Sequence, residues 1–497
     1  MSAIAESLRV ILANAGSPLI DGRLLNDSSV GEVTHFDPST GDSLGQVLLG
    51  GAVEIDLAVR SATWAQREWA ALSASARVAT LLRFADLIER DAEGLCRILA
   101  VDAGVPVSMG VSLATSWVRH FAGWADKIAG VAADATSGPG FFYTRREPYG
   151  VVGVVIPWNH PLVATCQVAL PAIAAGNAVV LKPPSATPYT ALQLGRLAVE
   201  AGMPPGLLNV VPGDVAAGEA LIRHPGVAKI SFTGGVGTAR RVMASAADVL
   251  KPVFLELGGK SPNLLFADAA LATQVPFAFF FAMGLSGQGC VLPTRLLVEA
   301  SVYDAVVEQL TGLAAALKIG PALDPSTTFG PVINEAACQR IEGVINRALE
   351  QREGRLIAGG TRLGGELARG CFIAPTVFVD VAPRSSLARD EIFGPVLSVM
   401  RFETEQQAIA LANDSALGLG AYVQTRDLAR AHRLAAQLQA GYVNINGFSG
   451  MEPAAPFGGY KQSGFGRIGG QAGLEEYLQI KTVYLGVDRA ESPISSV

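Results

Sequence analysis

Short apolar runs alternate with longer amphipathic segments along most of the chain. The apolar runs, rich in Val, Ile and Leu, occupy residues 151–156, 178–181, 208–211, 229–232, 263–266 and 294–298. Apolar positions recur with helical spacing over residues 52–72, 75–92, 187–201, 216–224, 302–315 and 335–351. This alternation predicts an α/β fold in which helices cover mostly parallel sheets.

Two further segments predict strands that stand outside this alternation. They are residues 141–146 and residues 481–486, which lie far apart in the chain. We expect them to form a hairpin-like extension that pairs subunits.

Residues 148–181 contain no Asp, Glu, Lys or Arg. The stretch is longer than the roughly 20 residues of a membrane helix. However, Pro157, Pro161, Pro171 and Gly176 interrupt it. The pattern therefore favours buried strands with a connecting helix, and no membrane partner is expected.

Length and composition narrow the class of protein. A chain of 497 residues exceeds the size of one hydrophobic core, about 250–300 residues, so two or more domains are expected. Hydrophobic residues make up 50% of the chain and charged residues 16%, which is typical of a well-buried globular protein. The net charge of −6, without a basic stripe, argues against nucleic acid as a partner.

Cysteine and histidine usage bears on compartment and metals. The five cysteines show no CxxC spacing, and Glu6 and Arg9 interrupt any apolar segment at the N-terminus. Both features predict a cytoplasmic protein in a reducing compartment. The five histidines form no ligand cluster, so no metal site is predicted.

Cys290 is the strongest candidate for chemistry. It ends a Gly-Gln-Gly-Cys turn, residues 287–290, which a substrate can approach closely. Glu256 supplies a carboxylate that can act as a base or activate water, so the pair suggests covalent catalysis through sulfur. A single Cys is more commonly a small buried apolar side chain. The other four cysteines are interpreted in that way: Cys96, Cys166, Cys338 and Cys371.

Two strand ends carry features of a nucleotide site. Lys182 follows the run 178–181, and ligands of open α/β sheets bind at the carboxyl ends of strands. The run 229–232 leads into Thr233, Gly234 and Gly235. Glycines between a strand and a helix let a pyrophosphate approach the helix N-terminus. The motif is not a full GxGxxG, and a tight turn is the alternative interpretation.

Seven motifs, taken together, resemble those of the aldehyde dehydrogenase superfamily. In chain order they are IPWNHPL (156–162), LKP (181–183), FTG (232–234), LELGGK (255–260), GQGC (287–290), EIFGP (391–395) and PFGGYKQSG (456–464). They follow the order and spacing of the family, and the resemblance covers nearly the whole chain.

The resemblance implies a Rossmann-like cofactor domain, an α/β catalytic domain and a β-strand oligomerisation extension. The expected NAD(P)-binding domain comprises residues 1–130 and 149–258, and the expected catalytic domain comprises residues 259–460. The expected extension comprises residues 131–148 and 478–497. A homodimer or homotetramer is the expected assembly.

The resemblance also implies the chemistry. Cys290 would attack an aldehyde, and the Asn159 amide with the Cys290 backbone N–H would stabilise the oxyanion. Glu256 would activate the water that hydrolyses the resulting thioester. The expected NAD(P) contacts are Ile156, Pro157, Trp158, Lys182, Ser185, position 215 (Val215), Phe232, Thr233, Gly234, Gly235, Leu257, Glu391 and Phe393. A role in packing alone is the alternative for Trp158, Lys260 and Phe457.

The chain departs from the family pattern at positions that affect cofactor and proton transfer. Ser185 stands where many NAD-specific members carry Glu, whose charge repels a 2′-phosphate by about 4 kcal/mol at 4 Å and an effective dielectric of 20. This substitution predicts either dual use of NAD and NADP or a preference for NADP. Val168 and Ile468 replace a Lys and a Glu that are thought to relay protons, so deacylation is expected to depend on Glu256 and water alone.

The residues expected around the aldehyde indicate a roomy, mostly apolar pocket. They are His160, Val163, Ala164, Gln167, Gly284, Val291, Phe448, Met451 and Phe457. Such a pocket favours a medium-sized aromatic or terpenoid aldehyde, and no Arg is expected to clamp a semialdehyde carboxylate. His160 could contact substrate or simply pack beside Asn159.

Three alternative functions stay open. A CoA-acylating dehydrogenase would use CoA in place of water, although Glu256 argues against it. A catalytically silent binding protein could keep the fold, although the presence of Cys290, Asn159, Glu256 and Glu391 argues against that. A thiol esterase activity could accompany the acyl-enzyme.

Overall fold

The computed structural model describes Leu12 and residues 16–136, 140–448 and 450–486. Its α-helices are α1 (Ala52–Ala71), α2 (Ala74–Arg90), α3 (Ala92–Ala103), α4 (Ser112–Ala122), α5 (Pro161–Ala174), α6 (Tyr189–Glu200), α7 (Val215–Arg223), α8 (Val236–Ala247), α9 (Leu271–Ala282), α10 (Tyr303–Ala314), α11 (Glu335–Glu350), α12 (Ser386–Arg389), α13 (Glu405–Asn413), α14 (Leu428–Gln437) and α15 (Gly470–Glu475). Short 3₁₀ turns lie at Val107–Met109, Gly284–Gly287, Ala300–Val302 and Gly365–Leu367.

The strands, in chain order, form five sheets. They are β1 (Leu19–Ile20), β2 (Arg23–Leu24), β3 (Glu32–Phe36), β4 (Ser43–Leu48), β5 (Ala132–Asp134), β6 (Gly140–Pro148), β7 (Val151–Val155), β8 (Ala178–Lys182), β9 (Leu208–Val210), β10 (Lys229–Gly234), β11 (Val253–Leu257), β12 (Pro262–Leu265), β13 (Arg295–Glu299), β14 (Arg355–Ala358), β15 (Thr376–Val379), β16 (Val396–Phe402), β17 (Leu417–Gly418), β18 (Gly420–Gln424), β19 (Tyr442–Ile445), β20 (Tyr460–Lys461), β21 (Gly464–Phe465) and β22 (Leu478–Gly486).

The first large sheet has eight strands in the order β2-β1-β9-β8-β7-β10-β11-β21. Strands β9, β8, β7, β10 and β11 are parallel. The chain runs outward from β7 to β9 and then returns to the other side of β7 at β10. This return makes a topological switch point between β7 and β10, where ligands of doubly wound sheets bind.

The second large sheet has seven strands in the order β14-β15-β16-β13-β12-β18-β19. Its strands pair in parallel except for β14, which is antiparallel to β15. The strands in the middle of this sheet are buried, as continuous Val/Leu/Ile runs require when helices cover both faces.

A three-stranded antiparallel sheet, β22-β6-β5, stands apart from both. Strand β22 pairs with β6 from Leu478 opposite Pro148 to Gly486 opposite Gly140. The two predicted segments, 141–146 and 481–486, therefore do pair. The rest of the predicted extension, residues 487–497, lies outside the described residues.

The observed elements confirm the predicted α/β fold class. The uncharged stretch 148–181 becomes β7, α5 and β8, and their side chains are buried with the core of the first sheet. Among the described residues no helix is long and apolar enough to cross a membrane.

Candidate active site

Four segments converge where the first sheet faces the second. Asn159 follows β7, Gly234 ends β10 and Gly235 follows it, Glu256 lies near the end of β11, and Cys290 lies in the loop before β13. Parallel pairing sets Thr233 beside Glu256, so these side chains share the carboxyl edge of the first sheet.

Two cavities meet at this edge. The larger, which we name the chamber, has a volume of about 490 Å³. The smaller, which we name the cleft, has a volume of about 260 Å³. Cys290, Glu256 and Asn159 line both of them. A group bound in the chamber and a group bound in the cleft would thus meet at Cys290.

Close backbone contacts fix the loop that carries Cys290. A Cβ on Gly287 would lie 2.1 Å from the carbonyl carbon of Gly394, so the close approach of the two loops requires glycine. The side-chain oxygen of Gln288 accepts a hydrogen bond from the Ile333 N–H at 2.9 Å. Leu285 and Ser286 hold positive φ angles of 49° and 55°, a strained geometry for these residue types.

The Cys290 thiol is half-buried and has a raised pKa. Burial is the main cause, and the nearby carboxylates of Glu256 and Glu391 add to it. The structure at rest therefore favours the thiol over the thiolate. A nucleophilic role requires the proton to leave when substrate binds.

The Asn159 amide points toward the Cys290 loop. Its Nδ2 donates a hydrogen bond to the Gln288 carbonyl oxygen at 2.9 Å. An N–H donor held at this place can serve an oxyanion that forms beside Cys290.

Glu256 is a buried carboxyl group without a partner. Its side chain is 3% exposed, and neither oxygen accepts a hydrogen bond from any described residue. Burial raises its pKa well above the usual value, and the charge of Arg467 opposes the shift. Unpaired buried carboxyls with raised pKa values are found at sites of general acid–base catalysis.

All the residues expected around an aldehyde line the chamber: His160, Val163, Ala164, Gln167, Gly284, Val291, Phe448, Met451 and Phe457. Val168 and Ile468 lie on its wall as well. The side-chain Nε2 of Gln167 is buried and donates to no described residue. The only ionisable groups among the described lining residues are His160, Glu256 and Cys290.

Part of the chamber wall was not predicted from the sequence. Phe280 and Phe281 come from α9, and Met109 and Leu113 come from the segment around the start of α4. The rings of Phe281 and Phe448 lie 4.4 Å apart, which makes one wall aromatic. Helix α9 is apolar on nearly all sides, so its sequence could not tell which face meets the site.

His160 begins α5 and has the properties of a packing residue. Its Nδ1 accepts a hydrogen bond from the Val163 N–H at 3.4 Å. Burial lowers its pKa to about 4, so the imidazole is neutral near pH 7. This geometry favours the interpretation that His160 orients the turn after β7.

The cleft is lined by most of the expected cofactor residues: Pro157, Trp158, Thr233, Gly234, Gly235, Leu257, Glu391 and Phe393. Arg340, which the sequence analysis missed, also lines it. Its guanidinium donates to the backbone carbonyls of Ile392 and Phe393 and so supports that loop. The Trp158 ring packs edge-on against Phe393, with centroids 5.2 Å apart.

The cleft has features that fit a dinucleotide. Gly235 begins α8 without a side-chain cap, so the first backbone N–H groups of the helix are available to a pyrophosphate. A Cβ on Gly235 would meet nothing within 4 Å, so the turn is open. Glu391 packs against Gly258, where a Cβ would lie 1.9 Å from its carboxylate, and it accepts the Gly259 N–H at 3.0 Å.

The remaining expected cofactor residues do not line the cleft. Ile156 and Phe232 are buried beneath it. Lys182 is buried, and its Nζ donates to the Gly213 carbonyl at 2.6 Å. Burial lowers the pKa of this ammonium group to about 8. Val215 is 70% exposed at the start of α7, so its side chain makes little contact.

Ser185 does not stand in an uncharged environment. Its hydroxyl donates to the carboxylate of Asp214 at 2.6 Å. The sequence analysis treated the loss of Glu at position 185 as the loss of a negative charge. Asp214, 29 residues further along the chain, returns a carboxylate to the same place.

Phe457 lines the chamber, whereas Lys260 lines neither the chamber nor the cleft. Lys260 is buried, its Nζ has no hydrogen-bond partner among the described residues, and burial lowers its pKa to about 7. Phe457 exchanges two backbone hydrogen bonds with Ile468, which fixes the last segment of the chamber.

The four other cysteines do not all fit the interpretation of buried apolar residues. Cys96, Cys166 and Cys338 are buried. Cys371 is half-buried and lies beside Cys338, so for this residue the prediction was incomplete.

Comparisons with known proteins identify the family of this chain. The sequence model of the "Aldehyde dehydrogenase family" matches residues 25–483. A betaine aldehyde dehydrogenase of Cereibacter sphaeroides is 40% identical over 96% of this chain and 99% of its own length. An NAD+ complex of an aldehyde dehydrogenase from Bacillus cereus superposes with a TM-score of 0.93 at 35% identity, covering 98% of this chain and 99% of that chain. An NADP-dependent enzyme of E. coli superposes with a TM-score of 0.91 at 37% identity, covering 95% and 98%.

Proposed function

This chain belongs to the aldehyde dehydrogenase family of NAD(P)-dependent oxidoreductases, and we propose that it oxidises an uncharged, medium-sized apolar aldehyde, aromatic or terpenoid, to the carboxylic acid. One observation carries this proposal. An apolar chamber and a glycine-lined cleft share a wall made of Cys290, Glu256 and Asn159.

The chemistry begins at Cys290. Its thiolate bonds to the aldehyde carbonyl carbon, and the carbonyl oxygen takes up the negative charge. The Asn159 amide and the Cys290 backbone N–H stabilise that oxyanion. When bound, NAD(P)+ supplies a hydride acceptor at the cleft side, and loss of hydride from the adduct leaves a thioester on Cys290.

Glu256 then promotes hydrolysis. As a carboxylate it takes a proton from water, the resulting hydroxide adds to the thioester carbon, and the C–S bond breaks. The products are the acid and the free Cys290 thiol. The apolar Val168 and Ile468 offer no proton relay from Glu256, which leaves water as its proton partner.

The residues around the cleft suggest how a cofactor would be held. Glu391 and Phe393 would hold the nicotinamide ribose, and the N-terminus of α8 would bind the pyrophosphate. Lys182, Ser185 and Asp214 would bind the adenosine ribose. Because Asp214 would repel a 2′-phosphate, we expect NAD to be preferred over NADP.

The chamber wall supports the choice of substrate. A quaternary ammonium aldehyde gains most from a Trp face and from nearby carboxylates. Among the described lining residues the aromatic side chains are all Phe, and Glu256 is the one carboxylate. The unpaired Nε2 of Gln167 would donate to one acceptor on the substrate, such as a ring hydroxyl or methoxy oxygen.

The domain bounds and the assembly remain part of the proposal. Residues 1–130 with 149–258 would bind the cofactor, and residues 259–460 would carry the catalytic cysteine. The β22–β6 ladder would pair subunits into a dimer or tetramer. Exposed Ile480, Tyr484 and Leu485 on β22 support this role, since a second subunit would cover them.

The test is reduced-cofactor formation by the purified protein. Benzaldehyde, citral, betaine aldehyde, succinic semialdehyde and acetaldehyde would each be assayed with NAD and with NADP. We expect kcat/KM for benzaldehyde and citral to exceed that for betaine aldehyde by about tenfold or more, since burial of a large apolar side group contributes about 1.5–3 kcal/mol. A preference for betaine aldehyde would overturn the substrate class.

Two controls separate the chemistry from the substrate class. Cys290→Ser should abolish turnover with every aldehyde, whereas Cys96→Ser, at a buried thiol far along the chain, should not. Turnover that depends on added CoA would show that the acyl group is transferred to CoA and is not hydrolysed. Electrophile labelling of Cys290 without turnover would indicate a silent binding protein.

A further inference from the structure

Cys338 and Cys371 bring two sulfur atoms together outside the catalytic site. Their Sγ atoms and a carboxylate oxygen of Glu335 all lie within 4.8 Å of one another. Each thiol shifts the pKa of the other. A disulfide requires the sulfurs to approach to about 2.05 Å.

Both backbones at this pair are held in place. Cys338 lies in the first turn of α11, which Asn334 caps by accepting the Ala337 N–H at 2.9 Å. The Cys371 N–H donates to Pro38 at 2.9 Å, and its carbonyl accepts from Val332 at 2.7 Å. The pair is therefore built into the fold and does not depend on chance encounters of mobile loops.

The two thiols differ in access. Cys338 is fully buried, whereas Cys371 is half-buried. Cys371 lines a third cavity of about 460 Å³, which is also lined by Ser185 and by the exposed side chains of Phe36, Glu335 and Arg369. A small oxidant can therefore reach Cys371, and Cys338 lies directly behind it.

The charges around the pair favour ionisation of the accessible thiol. The guanidinium of Arg362 lies beside Cys371, donating to the Gly370 carbonyl at 3.1 Å and to Glu335 at 2.9 Å. The hydrogen bond from Cys338 and the charge of Arg362 lower the pKa of Cys371. The hydrogen bond to Cys371 and burial raise the pKa of Cys338. An accessible thiol of low pKa beside a second thiol is the arrangement of a peroxide-reactive pair.

We propose that Cys371 and Cys338 form a reversible thiol-oxidation site for small peroxides, with Cys371 as the attacking sulfur and Cys338 as the resolving sulfur. The Cys371 thiolate attacks one peroxide oxygen, the O–O bond breaks, and hydroxide leaves, which gives a sulfenic acid. The Cys338 sulfur then displaces the hydroxyl group as water and forms the disulfide. With hydrogen peroxide, two thiols lose two electrons and two protons, and one peroxide becomes two waters. A second dithiol restores the pair by thiol–disulfide exchange.

A metal site fits the same residues less well. Structural zinc takes four ligands, and the group found among the described residues has three. The carboxylate of Glu335 is already paired with Arg362 at 2.8 Å. A cation would have to displace that guanidinium and would lie beside its positive charge.

The test uses the full-length protein and hydrogen peroxide as the probe. After graded oxidation and alkylation of free thiols, peptides would be mapped by mass spectrometry without reduction. We expect a Cys338–Cys371 cross-linked peptide at peroxide doses that leave Cys96 and Cys166 alkylated, and we expect dithiothreitol to remove it. Alkylation of both Cys338 and Cys371 at doses that already oxidise Cys96 or Cys166 would overturn the proposal.

Two variants sharpen this test. Cys338→Ser should lose the cross-link and accumulate a dimedone-reactive sulfenic acid at Cys371, whereas Cys96→Ser should cross-link as the wild type does. A dimedone adduct on Cys338 in place of Cys371 in the wild type would contradict the assigned roles. An alternative outcome is that the protein keeps zinc through dialysis, with both thiols protected from alkylation until a chelator is added. That result would contradict the proposal and would identify the pair as part of a metal site. Peptide mapping of the wild type decides the proposal, so the test remains valid even if a variant fails to fold.

Discussion

The chamber and the cleft share one wall but are built from different parts of the chain. Side chains of α5, α9 and the segment before α4 form the chamber. Turns at the ends of β7, β10 and β11, with their glycines and backbone N–H groups, form most of the cleft. In the proposed function, the cleft would bind the cofactor largely through the backbone, whereas the chamber would select the aldehyde through its side chains. Substitutions should separate the two, and those on the shared wall should affect both.

Glu256→Gln should have the largest effect of the four substitutions below. Removing a general base typically costs about 10²–10⁴ in rate. Because Glu256 acts after the hydride step, the variant should still form about one reduced cofactor per active site in a rapid burst. Slow release of the acid should follow. Rapid-mixing absorbance measures both phases. Slow kinetics without a burst would assign Glu256 to the first half of the reaction.

Asn159→Ala should lower kcat by about 10²–10³, the usual cost of one oxyanion donor. KM for the cofactor should change little, because the donor acts on the adduct at Cys290. Steady-state kinetics with benzaldehyde separates the two constants. A rise in KM for NAD with kcat preserved would show that Asn159 positions the cofactor and does not stabilise the oxyanion.

The pH profile tests the electrostatics of the shared wall. Burial raises the pKa values of both Cys290 and Glu256, and each group acts in its deprotonated form. Activity should therefore rise with pH from neutral into the alkaline range and fall by up to about tenfold per pH unit below the controlling pKa. A kcat/KM profile that stays flat between about pH 6 and about pH 9 would contradict raised values in the working enzyme.

Phe281→Ala should affect the chamber alone. The ring stacks near Phe448 in the chamber wall, and its loss should raise KM for benzaldehyde by about tenfold, as expected for about 1.4 kcal/mol of lost contact. KM for NAD should stay within about twofold, since Phe281 does not line the cleft. Equal changes in both constants would indicate that the two cavities are not separable. Phe280→Ala, on the same helix, is the matched comparison.

Asp214→Asn should have the smallest effect and should act on the cleft side. Removing the carboxylate that accepts the Ser185 hydroxyl should raise the NADP-to-NAD ratio of kcat/KM by about tenfold, since one like-charge contact in partial solvent contributes about 1–4 kcal/mol. Ser185→Ala, which keeps the carboxylate, is the control and should move the ratio less. If Asp214→Asn leaves the NADP-to-NAD ratio of kcat/KM unchanged, another group discriminates at the 2′ position of the adenosine ribose.

The cleft could be predicted from sequence because its residues fall in contiguous motifs. The glycines at 234, 258 and 287 are required by local turns or close approaches, so the motif itself carries the geometry. The fold class could be predicted from the alternation of short apolar runs with amphipathic segments. The ends of the helices and strands that the sequence predicts differ from the observed ends by at most two residues, except that β22 begins three residues earlier, at Leu478.

The chamber and the charges could be predicted only in part. Phe281 and Met109 reach the site through tertiary packing, and the hydrophobic pattern of a helix does not say which cavity its buried face meets. Asp214 restores a charge at Ser185 across 29 residues, a compensation that no local motif encodes. The Cys338–Cys371 pair is likewise a product of packing between α11 and a distant loop.

The most direct test of the central claim is the intact mass of the Glu256→Gln protein after it is mixed with benzaldehyde and NAD. We expect one benzoyl adduct per chain, which peptide mapping should locate on Cys290. Hydroxylamine should release the adduct, and it should be missing when NAD is omitted. Reduced cofactor formed without any adduct, or an adduct on a residue other than Cys290, would contradict the claim that the chamber and the cleft meet at a thioester-forming cysteine.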